Sequence, residues 1–180
     1  RAQALGKALE SGRKCIEQDE TNEICHRNLC YAYLLKRDYE KAFHHGRRAT
    51  EVNPNSSTAA SYLSFALRSV GEYDEAVRQC ERAIRLDPKS YMHFFQLGAV
   101  YSMMRRHEEA INACRKAVEM NPLHMPSWIV LVVAYSSLER MEEARAAAAE
   151  VLKQSPNFSV DSFVKALPYK DEEPRKLMAD

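Results

Sequence analysis

Prolines recur along this chain at one fixed interval. Pro54, Pro88, Pro122 and Pro156 follow one another at steps of 34 positions, and a shift by that interval aligns other residue types as well. The aligned columns are Ala42, Ala76, Ala110 and Ala144; Leu29, Leu63, Leu97 and Leu131; Tyr33, Leu67, Tyr101 and Tyr135; and Ala49, Ala83, Ala117 and Val151. Self-similarity at such a period is typical of stacked copies of one supersecondary unit. The sequence therefore predicts a repeat array.

Each interval carries the signature of two helices. Apolar residues recur at i, i+3, i+4 and i+7, and this pattern breaks once near the middle of the interval and once at the proline. Gly71 lies at one middle break, where glycine is typical of a helix end. Ser90 lies where it could cap the helix that starts near Tyr91. The predicted fold class is therefore all-α.

A helix pair of this period with the pattern W-x2-L-G-x2-Y, a later A-x3-F and a final proline resembles the tetratricopeptide (TPR) repeat. The matching residues are Trp128, Leu131 and Tyr135 in the last interval, and Phe94, Leu97, Gly98 and Tyr101 in the one before it. The resemblance implies a right-handed α-solenoid. Its predicted parts are a partial repeat (1–22), four full repeats (23–56, 57–90, 91–124 and 125–158) and C-terminal capping helices (159–180).

The period ends at Pro156, and a helical pattern continues beyond it. Phe163, Val164 and Leu167 predict a short helix that stops at Pro168. A repeat array leaves the apolar flank of its last repeat exposed unless a terminal segment covers it. The sequence therefore predicts a capping segment.

The capping prediction places particular side chains. We expect Phe158 and Phe163 to pack on the final repeat, and Tyr169 to be half-buried with its hydroxyl in water. Another helix is predicted from Asp171, because Pro174 is tolerated in a first turn.

The same segment also resembles the C-terminal region of bacterial class III adenylate/guanylate cyclase-type proteins, in which such repeats follow a catalytic or winged-helix domain. The matching residues are Phe158, Ser159, Phe163, Leu167, Pro168, Tyr169, Lys170 and Asp171. The resemblance implies that the chain is a piece of a larger bacterial regulatory protein, for which the start at Arg1 is a second indication. It implies nothing about catalysis in these residues.

Charge and hydropathy exclude two classes of partner. Lys and Arg number 26 against 25 Asp and Glu, for a net charge of +1, whereas nucleic-acid binding needs a clustered basic excess. A transmembrane helix needs about 20 consecutive apolar residues, and no apolar run of the sequence approaches that length. We therefore expect no nucleic-acid and no membrane partner.

Five cysteines without a CxxC pair, and no signal peptide, favour a reducing cytoplasm over a disulfide framework. Cys30 shares its column with Ser64 and Gly98, Cys80 and Cys114 share theirs with glycine and alanine, and Cys15 shares its column with alanines. These columns predict that the cysteines pack as small hydrophobic side chains.

Motifs for chemistry are missing from the sequence. His26 and Cys30 have a spacing that zinc could use, but two ligands make half a site, and His44 and His45 are expected on a solvated surface. No Gly-rich phosphate loop, GxSxG or HExxH motif occurs. We expect no enzyme activity, no cofactor and no metal.

The resemblance to TPR proteins implies a groove lined by the first helix of each repeat, which binds a peptide or a helix. The groove residues carried over from the repeat columns are Ile24, Arg27, Tyr31, Leu35, Tyr62, Phe65, Met92, Phe95, Gln96, Ala99, Met103, Ile129 and Val133. Arg68 falls in the same set of columns. Only Arg27 fits the carboxylate clamp of chaperone-tail binders, and the aromatic and Met-rich lining favours an apolar ligand instead.

Besides a partner peptide or helix, three occupants of the groove stay open at this point: the chain's own tail, a preceding domain, or another protomer. The preferred function is a non-catalytic interaction module with an unidentified peptide or protein partner. The alternative is a structural element in which the repeats mediate homo-oligomerisation, with a homodimer as the simplest case.

Overall fold

The computed structural model describes residues 2–170 and divides the chain into two compact units. The first unit runs to Leu86 and includes residues 167–170, here called the tail segment; the second runs from Asp87 to Ala166. All regular structure in the described range is α-helical, which confirms the predicted all-α class.

Each unit contains five described helices. The first unit contains α1 (Ala2–Gln18), α2 (Glu23–Lys36), α3 (Tyr39–Val52), α4 (Ser57–Ser69) and α5 (Tyr73–Leu86). The second contains α6 (Tyr91–Met103), α7 (His107–Met120), α8 (Met125–Ser137), α9 (Met141–Gln154) and α10 (Val160–Ala166). None of the described helices is both long and apolar enough to cross a membrane.

One residue with a left-handed backbone lies between the two helices of every repeat. Arg37, Gly71, Arg105 and Glu139 have φ angles of 62°, 90°, 57° and 58°, and they recur at the same interval as the prolines. Gly71 adopts this conformation without a steric penalty from a Cβ atom, as its place at the break predicts. The other three turns have the same conformation without the glycine that would have indicated it.

The residue before each of the first three regularly spaced prolines closes the turn between repeats. The side-chain oxygens of Asn53, Asp87 and Asn121 accept hydrogen bonds from the backbone N–H two residues later, at 3.2, 3.1 and 3.2 Å. Asn and Asp mimic a backbone turn in this way. The Asn-Pro and Asp-Pro pairs of the sequence are therefore turn signals with an observed hydrogen bond.

Helix starts differ between the units. In the first unit, the side chains of Asn22, Asp38 and Ser56 accept hydrogen bonds from backbone N–H groups of the first turn. In the second unit, the Ser159 side chain caps α10 in the same way, whereas Ser90 occupies the predicted cap position of α6 without a capping hydrogen bond. The helices α7 and α9 instead begin with glutamate pairs, whose charge favours the positive end of the helix dipole.

The two helices of three repeats pack closely through small residues. Side chains of two aligned columns face each other in three pairs: Cys30 and Gly46, Ser64 and Cys80, and Gly98 and Cys114. In each pair at least one partner is small, so the two helices can approach. The three cysteines are buried, and none of them forms a disulfide within the described residues, which confirms their predicted packing role.

The other two cysteines contradict the sequence prediction. Cys15 and Cys25 form a disulfide with their Cα atoms 6.2 Å apart, so the expectations that all five thiols are reduced and that Cys15 packs as a free small side chain were wrong. The two residues are 10 apart in sequence and match no disulfide motif. They meet because α1 and α2 pack side by side, which the spacing alone did not reveal.

The end of the described chain contains the predicted short helix, α10. Phe158 and Phe163 are half-buried, and their ring centroids are 5.8 Å apart. Their packing on the final repeat stays a prediction. The helix predicted from Asp171 lies outside the described residues.

Candidate peptide-binding face

The first helices of the two full repeats in the first unit, α2 and α4, bring aromatic side chains together. The ring centroid of Tyr31 lies 5.9 Å from that of Tyr62 in an edge-on arrangement, and 6.2 Å from that of Phe65. Ile24 and Leu35 lie on the same side of α2 as Tyr31 by helical spacing, and Ile24, Tyr31 and Leu35 are 52, 42 and 37% exposed. We call these five residues the aromatic face.

Arg68 borders the aromatic face and is only 4% exposed. Its guanidinium carbon lies 4.9 Å from the ring centroid of Phe65 and 5.7 Å from that of Tyr169. Within residues 2–170, Arg68 has no carboxylate partner, and its Nε atom donates no hydrogen bond. The two aromatic rings therefore compensate part of a buried positive charge.

The tail segment lies against the ends of α2 and α4. The backbone N–H of Lys170 donates to the carbonyl oxygen of Ser69 at 2.8 Å, and Nη2 of Arg37 donates to the carbonyl oxygen of Leu167 at 3.5 Å. Pro168 is buried, and Tyr169 is 1% exposed. The prediction of a half-buried Tyr169 was wrong, because the ring packs beside Arg68 instead of lying at the surface of a cap.

Arg27 is engaged within the first unit. Its Nη1 atom lies 3.7 Å from Oε1 of Glu23, which also accepts a hydrogen bond from the hydroxyl of Ser56 at 3.0 Å. Burial raises the pKa of the nearby Tyr62, which keeps that hydroxyl protonated. Because Arg27 is already paired with the carboxylate of Glu23, it is less suited to bind the carboxylate of a ligand.

The equivalent positions of the second unit are mostly covered. Gln96, Ala99, Met103 and Ile129 are buried at 8, 0, 7 and 8% exposure. Met92, Phe95 and Val133 are half-buried, and the Phe95 ring contacts that of His124 with centroids 4.7 Å apart. The predicted site residues thus form an open aromatic surface in the first unit and a largely closed one in the second.

Comparisons with known proteins agree on the fold. The family model described as anaphase-promoting complex, cyclosome, subunit 3 matches residues 69–151. A thermophilic TPR protein of Thermus thermophilus, TTC0263, is 21% identical, with a TM-score of 0.75 over 92% of this chain and 91% of that one. The chain therefore has the tetratricopeptide repeat fold.

Two further solved structures share this TPR fold. PilW, a type IV pilus biogenesis factor, is 16% identical, with a TM-score of 0.79 over 99% of this chain and 84% of that one. YrrB, described as a TPR protein with an unusual peptide-binding site, is 24% identical, with a TM-score of 0.65 over 95% of this chain and 88% of that one. No curated protein sequence is significantly similar to the chain.

One polar cluster of the TPR chain was missed by the sequence reasoning. His26 is buried, and its Nδ1 atom lies 2.9 Å from Nδ1 of His45 while its Nε2 atom lies 2.9 Å from the carbonyl oxygen of Glu20. The carbonyl can only accept, so Nε2 of His26 carries a proton. The rings of Tyr33 and His45 are stacked 5.5 Å apart.

His45 is therefore part of the packing, and its predicted place on a solvated surface was wrong. Burial, followed by the neighbouring His26, lowers the pKa of His45 to about 4. The signal that could have located it was the repeat column, because His45 precedes the small residue Gly46 that faces Cys30.

The described residues offer little for catalysis or metal binding. Within residues 2–170, no three His, Cys, Asp or Glu side chains are grouped so that they could hold a metal ion. Burial raises the pKa of the Cys30 and Cys80 thiols to about 12, so neither is a nucleophile near neutral pH. The TPR fold is generally a non-catalytic interaction module.

Proposed function

We propose that the chain is a non-catalytic protein-interaction module that binds an apolar peptide or helix on the aromatic face of its first unit. The exposure of Ile24, Tyr31 and Leu35 beside half-buried aromatic rings carries this proposal. Exposed apolar patches of this kind mark interaction surfaces, and TPR arrays use their first helices for that purpose. The closed face of the second unit would then contribute less.

A selection from a random peptide library on the whole chain would test this proposal. We expect the selected peptides to lose at least tenfold in affinity on Tyr31→Ala, because an aromatic anchor is removed from the face. Leu152→Ala is the matched control, since Leu152 is also exposed but lies on α9, away from any first helix. Peptides that lose affinity equally on both variants would contradict the assignment of the face.

Self-association is the competing proposal, because the same exposed side chains could pack on a second copy. Sedimentation at tens of micromolar separates the two proposals. A monomer that becomes no larger with concentration favours foreign-peptide binding. A dimer that is lost on Tyr31→Ala would favour homo-oligomerisation through the aromatic face.

We further propose that the module belongs to a larger bacterial regulatory protein of adenylate/guanylate cyclase type, located in the cytoplasm. The residues that support this context are Phe158, Ser159, Phe163, Leu167, Pro168, Tyr169, Lys170 and Asp171. The Cys15–Cys25 disulfide weighs against the cytoplasm, because disulfides persist in oxidising compartments. A reading frame with a cyclase or winged-helix domain upstream of Arg1 would support the context; a frame that starts near Arg1 would refute it.

A further inference from the structure

The contacts of the tail segment are those of a bound peptide. Two of its carbonyl and amide groups bond to the first unit, one to the side chain of Arg37 and one to the backbone of Ser69. Main-chain bonds of this kind hold an extended segment whatever its side chains are. Pro168 lies between them and has no N–H group that burial could leave without an acceptor.

One side chain of the segment supplies selectivity. Tyr169 is the largest side chain of the described residues that is almost completely buried, and its ring lies over the guanidinium of Arg68. Arg68 has no carboxylate partner within residues 2–170, so an aromatic ring at this place compensates its charge better than an aliphatic side chain does. The site beside Arg68 therefore favours peptides in which a proline is followed by an aromatic residue.

We propose, building on the proposed function, that the peptide-binding face extends from the aromatic face to Arg68, and that the tail segment is an internal occupant of its Arg68 end. On this proposal the face selects extended peptides that contain a proline followed by an aromatic residue, and a partner peptide binds by displacing Tyr169 from Arg68. The tail then regulates the site by competition. Its own Leu-Pro-Tyr-Lys sequence is a template for the ligand.

Competition by a tethered segment has a measurable size. A segment on a short tether acts at an effective concentration of the order of millimolar. For a peptide with a dissociation constant of about 0.1 mM, such a tether leaves about a tenth of the molecules open, and the apparent affinity falls roughly tenfold. Removing the tyrosine of the tail should restore that factor.

The test uses a labelled synthetic peptide with the sequence of residues 163–173 and fluorescence anisotropy with the whole chain. We expect Tyr169→Ala to bind the peptide roughly tenfold more tightly than the wild type does. Adding Arg68→Gln to Tyr169→Ala should abolish this gain, whereas adding Arg145→Gln should not, since Arg145 is an exposed arginine of α9. A peptide with alanine in place of its tyrosine should bind weakly to every variant.

A second measurement does not depend on the folding of the Arg68 variant. The backbone N–H of Lys170 donates to Ser69 in the wild type, so its amide should exchange slowly with solvent and should lose that protection in Tyr169→Ala. Equal peptide affinities of wild type and Tyr169→Ala, or a fast-exchanging Lys170 amide in the wild type, would overturn the internal-occupant proposal.

The two proposals of this structure can fail separately. If library peptides without a proline–aromatic pair bind, and lose affinity on Tyr31→Ala, the interaction module stands and the template is wrong. A concentration-dependent dimer of the wild type that dissociates on Tyr169→Ala would also overturn the internal occupant, because the tail would then bind a second copy.

Discussion

The two units are built from the same repeat, but the first helices of their repeats differ in how exposed their side chains are. In the first unit, α2 leaves Ile24 and Tyr31 to solvent; in the second, the corresponding surface of α6 and α8 contains the buried Gln96 and Ile129. The first unit also has a disulfide, which the described part of the second unit lacks, and more side-chain helix caps. The comparison teaches that a shared repeat specifies helix packing and leaves each first-helix face free to become an exposed surface or a core.

The largest expected effect tests the core that both units share. Ala110 is fully buried. Ala110→Glu should reduce the free energy of unfolding by about 3–5 kcal/mol, because it places a charged side chain without a partner in that position. Glu81→Ala, on the exposed side of α5, should change it only slightly, as surface substitutions usually do. Denaturant titration measures both, and equal midpoints would refute the alignment of the alanine column.

The disulfide tests what is particular to the first unit. It joins residues 10 apart in sequence and so closes a short loop. Reduction should lower the free energy of unfolding by about 2.5 kcal/mol, the value expected for the closure of such a loop. Cys15→Ser should show the same loss and no further response to reductant. An equal free energy of unfolding with and without reductant would contradict a stabilising bond between α1 and α2.

Substitutions at the facing small residues test whether the helices of the second unit pack as closely as those of the first. In Gly98→Ala, the new Cβ atom would collide with Sγ of Cys114 and lie 3.1 Å from the carbonyl oxygen of Ala110. This overpacking should cost about 2 kcal/mol. Ser64→Ala, at the same repeat position, adds no atom and should cost about 1 kcal/mol at most. Thermal unfolding compares them.

A double variant sharpens that result. Gly98→Ala with Cys114→Ala should be more stable than the sum of the two single changes by about 1 kcal/mol, since the second change removes the colliding sulfur. Additive losses would show that the two positions are not in contact.

The smallest expected effect is the part of the pH dependence of stability that His45 contributes in the first unit. Burial lowers the pKa of His45 from 6.5 to about 4. Between these two values, His45 is protonated in the unfolded chain and neutral in the folded chain. Stability is therefore complete above the unfolded pKa and falls as the pH drops towards the folded one, by about 1 kcal/mol at about pH 5 after allowance for partial exposure. His45→Gln should reduce this slope and His44→Gln should not. Parallel stability profiles for His45→Gln and the wild type would contradict the assignment.

Much of the fold could be predicted because the same sequence pattern occurs four times along the chain. Pro54, Gly71 and the alanine column act through local turn chemistry and through close helix packing, and both effects are readable from spacing. The candidate site was predicted only in part. Columns identified Tyr31 and Phe65 as members of the first-helix surface, but exposure depends on what covers a side chain, and no column reports that.

The sequence alone determined the repeat period, the all-α class, the helix pairs and the packing of Cys30, Cys80 and Cys114, because each depends on residues close together in the chain or one period apart. Only the tertiary structure decided that Cys15 bonds to Cys25, that His26 pairs with His45, and that Tyr169 lies on Arg68. The tail contact joins residues 101 positions apart. Such contacts follow from the path of the whole chain in space, and the local patterns that specify helices and turns carry no record of that path.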